Sequence, residues 1–310
     1  MLQLHEPGFT AHSELAAAEP FPPTWGDMEE LSLVTDDWIS KVRERRRQIA
    51  RSRGGVLARL DAFDQALRTE RMEHLDEESF PTAKKWKMVS GIHILNLSLL
   101  TYHRILWILA PLIRDLAEKK GRPVKLLELA CGSGEFTLGL SRLARKKGLP
   151  VVLTGSDYIP AYVEKGNKTA ARRGLPVSFR EVNAFDMRSV SKGEFDLMFI
   201  NQSIHHFSPG QIAMMIAQSR LLGADAFFGF DGFRSIRVLL GLPLLTSVSL
   251  RPYMVHDAVV SARKLYSELE LSLIAAIAAP GSPALALRSL PLTHTAFVVR
   301  HDLAPARDKG

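Results

Sequence analysis

Residues 125–136 read KLLELACGSGEF. An apolar run carries an acid, Glu128, and ends in a turn holding Cys131 and two glycines, Gly132 and Gly134. The run has the length of a strand, and the glycines punctuate its end. Such a turn lets backbone approach a ligand closely, with the next helix N-terminus aimed at it. A dinucleotide fingerprint would want a third glycine where Thr137 stands. A carboxylate at Glu128 would repel a phosphate, but it suits a ligand with a cationic part, such as an ammonium or sulfonium.

Working outward, the pattern after Gly121 alternates. VKLLELA (124–130), PVVLTGSD (150–157), VSFREVNAF (177–185), FDLMFINQSI (195–204) and DAFFGFDGF (225–233) read as strands. Amphipathic segments of helical length separate most of them, which predicts a parallel sheet covered on both faces. PALALRSL and HTAFVVR read as two further strands joined by a Pro-containing turn, an antiparallel edge. The expected architecture is therefore a doubly wound α/β fold with seven strands, five parallel and then an antiparallel C-terminal hairpin. Residues 1–25 read as a loose tail. Residues 26–121 read as a helical N-terminal cap, whose apolar window from Ile92 to Ile113 is expected to be one buried helix. Residues 122–310 read as the core, with a helical insertion at about 236–261.

In a doubly wound sheet, ligands sit at the carboxyl ends of the strands. Asp157, at the end of the second strand, is placed to take both hydroxyls of a ribose. Tyr158 and Ile159 beside it would flank an adenine ring, and Asn183 could read the ring's edge. Together these residues ask for adenosine joined to an amino-acid-like cation, without phosphate.

The bulk numbers exclude little else. The chain has 310 residues, 46% hydrophobic and 24% charged, an ordinary globular composition. One cysteine, Cys131, forbids an internal disulfide and fits a reducing compartment; its place in the turn reads as packing. No basic segment followed by an apolar one opens the sequence, so a cytoplasmic location is expected. The window from Ile92 carries two His, an Asn and an Arg, too polar for a membrane span. The net charge of +7 gathers in runs such as KVRERRRQIARSR (41–53), which a solvated helix face explains.

At this point the chain resembles the class I S-adenosylmethionine-dependent methyltransferases. LELACGSG, GSDYIP, VNAFDM and FDLMFINQSIHHF look like their first four motifs, in order. The resemblance implies S-adenosyl-L-methionine as cofactor and a Rossmann-like fold. It places Glu128, Ala130, Gly132 and Gly134 about the methionine half, Asp157 and Tyr158 at the ribose and adenine, and Asn183, Ala184 and Asn201 nearby. The family often has Asp where Asn183 stands.

A narrower resemblance, carried by ERMEHLDEESFP, ILNLSLL, FGFDGFRS and VHDAVVSARKLYSELEL, is to bacterial small-molecule methyltransferases of polyketide and quinone-type pathways. It implies a phenolic, enolic or carboxylic acceptor of secondary-metabolite type. His205 and His206, at the end of the fourth strand, are candidate bases for the acceptor's proton, and Asp231, after the fifth strand, is a further catalytic candidate. Arg234 and Arg263 are candidates to grip the acceptor. No metal-ligand spacing is visible, and the reaction needs no metal. RNA is the alternative acceptor, since SIHHFS is similar to some tRNA-modifying enzymes; a non-catalytic cofactor-binding scaffold is a third reading. A homodimer is compatible with all three.

Overall fold

The computed structural model describes residues 3–248, 251–289 and 294–304. Helices α1 (His5–Ala18), α2 (Met28–Arg53), α3 (Gly55–Leu67), α4 (Thr82–Ser98) and α5 (Thr101–Lys120) precede the sheet. The alternating part follows as β1 (Val124–Leu129), α6 (Glu135–Lys146), β2 (Val151–Asp157), α7 (Pro160–Arg173), β3 (Val177–Glu181), β4 (Leu197–Asn201), α8 (Pro209–Leu221) and β5 (Ala226–Gly232). Then come α9 (Ile236–Ser247), α10 (Pro252–Lys264), α11 (Glu268–Ala278), β6 (Ala284–Ser289) and β7 (His294–Arg300). The expected Pro-containing turn between the last two strands lies outside the described residues.

The strand order is β3-β2-β1-β4-β5-β7-β6. The first five strands pair in parallel, and β7 inserts antiparallel between β5 and β6. The doubly wound, seven-stranded expectation holds. The order reverses between β1 and β4, so a crevice opens at the carboxyl ends of those two strands.

Burial explains the patterning. Every residue of β4 is buried, as its unbroken apolar run requires of a strand covered on both faces. On one face α5 and α6 pack over Leu126, Phe199, Phe228 and Phe230. On the other, α8, α11 and α2 pack over Leu127, Met198, Ile200 and Phe227. Phe179 of β3 fills the space between β2, α6 and α7. A Cβ at Gly134 or Gly155 would approach its ring to 2.2 and 2.4 Å, so both positions must be glycine for this ring to fit.

Two expectations about the N-terminal region need correction. The N-terminal tail is the helix α1, with Pro7, Gly8 and Ala11 buried against α2 and α11. The apolar window breaks at Leu99–Leu100, where Leu100 is left-handed (φ 53°), into α4 and α5 bent by 67°. α5 belongs to the sheet's core: Ile105, Leu109, Ile113 and Leu116 are buried there. α4 keeps Ile94 and Leu97 exposed. Among the described residues no single helix is long and apolar enough to cross a membrane.

Arg234 and Arg263 also depart from expectation. Arg234 is almost wholly buried, bonded to Asp64 of α3 and to the carbonyls of Arg263 and Leu265. Arg263 donates to the Leu67 carbonyl. Neither lines the cavity described below. Both guanidinium groups are taken up in joining α3 to the core, where helix-end carbonyls and a buried acid need donors. Asp64 also bonds Arg46 of α2, so two arginines share one buried carboxylate.

Candidate active site

A cavity of about 730 Å³ lies over the carboxyl ends of β1, β4 and β5. It gathers seven of the residues singled out in the sequence: Glu128, Ala130, Gly132, Asn201, His205, His206 and Asp231. α4 covers one side, and α9 and α10 another, with Leu95, Leu99, Leu242 and Met254 facing in.

The end beside β1 is built by the glycine turn. Ala130 is left-handed (φ 49°), an unfavourable conformation for a residue with a side chain, and Gly132 follows at φ 54°. A Cβ placed on Gly132 would meet nothing within 4 Å, so its backbone borders open space. Gly134 does not line the cavity. It starts α6 in the left-handed region. The Asp157 carboxylate braces the turn by accepting the Gly132 N–H at 2.8 Å and the Ile159 N–H at 3.0 Å.

Glu128 is buried and accepts a 2.6 Å hydrogen bond from the Thr137 hydroxyl. Desolvation pushes its carboxyl up to about 8, against the opposing effect of that bond. Two neighbouring polar atoms that line the same end, Ser133 Oγ and Asn201 Oδ1, are buried without a hydrogen-bond partner. A buried unpaired oxygen is costly, and two of them beside the Glu128 carboxyl form a site that a polar, cationic ligand would complete. Cys131 is not a nucleophile here: burial, with Glu128 and Asp157 nearby, pushes its thiol well up.

Asp157, Tyr158, Asn183 and Ala184 lie along the neighbouring edges of β2 and β3, outside the cavity lining. Tyr158 is 72% exposed, free to cover a ligand lying across the turn. Asn183 accepts the Phe185 N–H at 2.9 Å, so its side-chain oxygen is engaged in its own turn.

The other end of the cavity is charged. His205 and His206 sit in a single 3-10 turn after β4. Asp231, at the end of β5, accepts the His205 backbone N–H at 2.9 Å and its Nδ1–H at 2.8 Å. Glu73, from the loop between α3 and α4, faces the other side of the ring, 3.5 Å from Nε2. Burial lowers the His205 pKa, but the two carboxylates outweigh it and raise it to about 10. Burial likewise raises Glu73, yet the two imidazoles prevail and bring it down to about 2. His205 therefore holds its proton at neutral pH, the opposite of what a base requires. His206 bonds Asp76 through Nδ1 at 2.7 Å.

Sequence reasoning missed Glu73 and Asp76 as site residues, although their stretch was noted. It also missed Gln202, Asn96 and Tyr102. Gln202 is left-handed (φ 51°) at the end of β4 and accepts a 2.8 Å bond from Asn96 of α4, tying that helix over the cavity. Tyr102 lines the cavity, stacks on Phe136 and bonds His93. The one signal for Glu73 was the density of acids around a single histidine in ERMEHLDEE.

Residues 126–222 match a family model described as a methyltransferase domain. Among solved structures, the plantazolicin methyltransferase BamL, in complex with a triazolic desmethylPZN analog and SAH, is similar at 15% identity. The match has a TM-score of 0.54 and covers 77% of this chain and 97% of that one. The plantazolicin methyltransferase BpumL in complex with SAH is similar at 13% identity and the same TM-score of 0.54, covering 73% and 94%. At such identities the likeness is one of fold, and the fold is the Rossmann-like one of methyltransferases.

Proposed function

From the methyltransferase domain at residues 126–222, we propose that this chain is an S-adenosylmethionine-dependent methyltransferase acting on a small, largely apolar acceptor with an anionic oxygen. One observation carries the reading. One cavity is lined by the carboxyl of Glu128 at one end and by the imidazole of His205 at the other, with apolar residues of α4 and α9 among its walls.

The bound cofactor supplies an electrophilic methyl group on a sulfonium. The chain's residues do the rest. Glu128, Ser133 Oγ, Asn201 Oδ1 and the backbone at Gly132 would hold the methionine half. Asp157 fixes the turn and, with its remaining lone pairs, would take the ribose; Tyr158 would cover the adenine. Charged His205 lines the cavity, its Nε2 buried beside Glu73 without a hydrogen-bond partner. It would orient a phenolate, enolate or carboxylate oxygen for in-line attack, so that alignment of two bound reactants supplies much of the acceleration. The apolar mouth, where Leu244 and Val248 line the cavity and also face solvent, favours a hydrophobic acceptor.

The test is methyl transfer from labelled S-adenosylmethionine to panels of phenols, enolisable diketones, carboxylic acids and RNA. Label on an apolar phenol, enol or acid supports the reading. Label on RNA alone would replace it with the RNA reading.

A further inference from the structure

His205, His206 and Glu73 share an arrangement that neither methyl transfer nor the fold requires. The potential ligand atoms of the three lie within 4.8 Å of one another. Both imidazoles turn Nε2 toward the Glu73 carboxylate, at 3.5 Å for His205 and 3.8 Å for His206. Both rings give Nδ1 to a different carboxylate, Asp231 at 2.8 Å and Asp76 at 2.7 Å. Histidines that ligate metals almost always donate the second nitrogen in this way, which fixes the tautomer and aims the first. His205 Nε2 and Glu73 Oε1 are buried and without a hydrogen-bond partner, although they face each other. Their side chains are only 8% and 5% exposed, so solvent does not satisfy them.

We propose that Glu73, His205 and His206 form a site for a divalent transition-metal cation at the acceptor end of the cavity. Two imidazoles and one carboxylate suit zinc, cobalt, iron or manganese better than magnesium or calcium, which prefer oxygen. Three protein ligands leave coordination positions open to the cavity, where the acceptor's oxygen would enter. A cation there would displace the His205 Nε2 proton to solvent and take over its role, holding the acceptor's oxygen in its anionic form and orienting it toward the cofactor end. This role rests on the methyl-transfer reading; the binding of the ion does not. Glu73 comes from the N-terminal helical region and the histidines from the core, so the ion would also pin the two together.

The test uses the full chain, stripped with a chelator and titrated with cobalt(II) chloride, read by the visible bands of cobalt and by calorimetry. S-adenosylhomocysteine affinity is measured on the same samples. We expect one high-affinity ion per chain, lost in Glu73→Gln and in His206→Ala, with S-adenosylhomocysteine affinity unchanged. Asp76→Ala, at a half-exposed side chain, should weaken cobalt on the order of 10–100-fold without unfolding the chain. His256→Ala removes a histidine from the neighbouring His74–His256–Asp257 group and should leave cobalt binding as it was. No cobalt binding by the parent chain overturns the proposal. So does binding that survives both Glu73→Gln and His206→Ala, or that disappears in His256→Ala. Failure of S-adenosylhomocysteine to bind beside intact cobalt binding would instead overturn the functional reading and leave the site standing.

Discussion

Glu73 of the N-terminal helical region and His205 of the core face each other at 3.5 Å across the acceptor end of the cavity, and neither atom in that contact has another partner. The contact fixes what His205 can do. Between two carboxylates, and with no metal bound, its pKa is pushed up to about 10, so it holds charge and does not remove protons. The rate of methyl transfer should therefore be flat through pH ~6.5, where an ordinary histidine titrates. Replacing His205 by Ala should lower turnover ~10²–10³-fold, the usual effect of losing one oxyanion donor, while cofactor affinity stays the same. A rate that rises near pH ~6.5 in the parent chain, and no longer does so in His205→Ala, would restore the base role.

Asp64 predicts a stability effect far from the chemistry. Its buried carboxylate lies 2.7 Å from Arg46 and 2.6 Å from Arg234. Asp64→Ala takes from buried Arg234 its carboxylate partner, while Arg46 keeps Asp61, and should cost about 3–5 kcal/mol. Urea unfolding followed by fluorescence measures it. A change within ~0.5 kcal/mol, typical of an inert surface position, would show the network contributes little.

Glu128 predicts a pH dependence. Its carboxyl is protonated in the folded chain up to about 8, but ionises near the ordinary 4.5 when unfolded. Between those values the unfolded state binds fewer protons, so this residue's contribution makes stability fall as pH rises through the window. Glu128→Gln should flatten that part of the pH–stability curve. A cationic ligand favours the ionised form, so S-adenosylmethionine should bind more tightly as pH rises through about 8 and release a proton on binding below it. Calorimetry in buffers of different ionisation enthalpy detects that proton. An equal heat in all buffers at pH 7 would contradict the assignment.

Much of this site could be read from the sequence, and what could not has a physical reason. The seven strands were legible because β4 and β5 are buried on both faces and read as unbroken apolar runs. Glu128, Gly132 and Asn201 were legible because they stand next to strand ends, where chain order dictates position. Arg234 and Arg263 misled because a positive charge near a site reads the same whether it faces a ligand or a buried acid, and Asp64 is 170 residues from Arg234. Glu73 lies 132 residues from His205, and only the fold of α3 and α4 over the sheet brings them together. The break at Leu100 was hidden because the apolar pattern runs on through it.

The central claim is that the turn at Gly132 and the carboxylate of Glu128 form the seat of an S-adenosyl ligand. The most direct measurement is a calorimetric titration of the full chain with S-adenosylhomocysteine, repeated on Gly132→Val and with NAD⁺ as the competing nucleotide. The account predicts saturable one-to-one binding, displacement by S-adenosylmethionine, and loss of at least tenfold in affinity in a folded Gly132→Val chain, about 1.4 kcal/mol. Absence of binding, NAD⁺ binding more tightly than S-adenosylhomocysteine, or full affinity in Gly132→Val would contradict it.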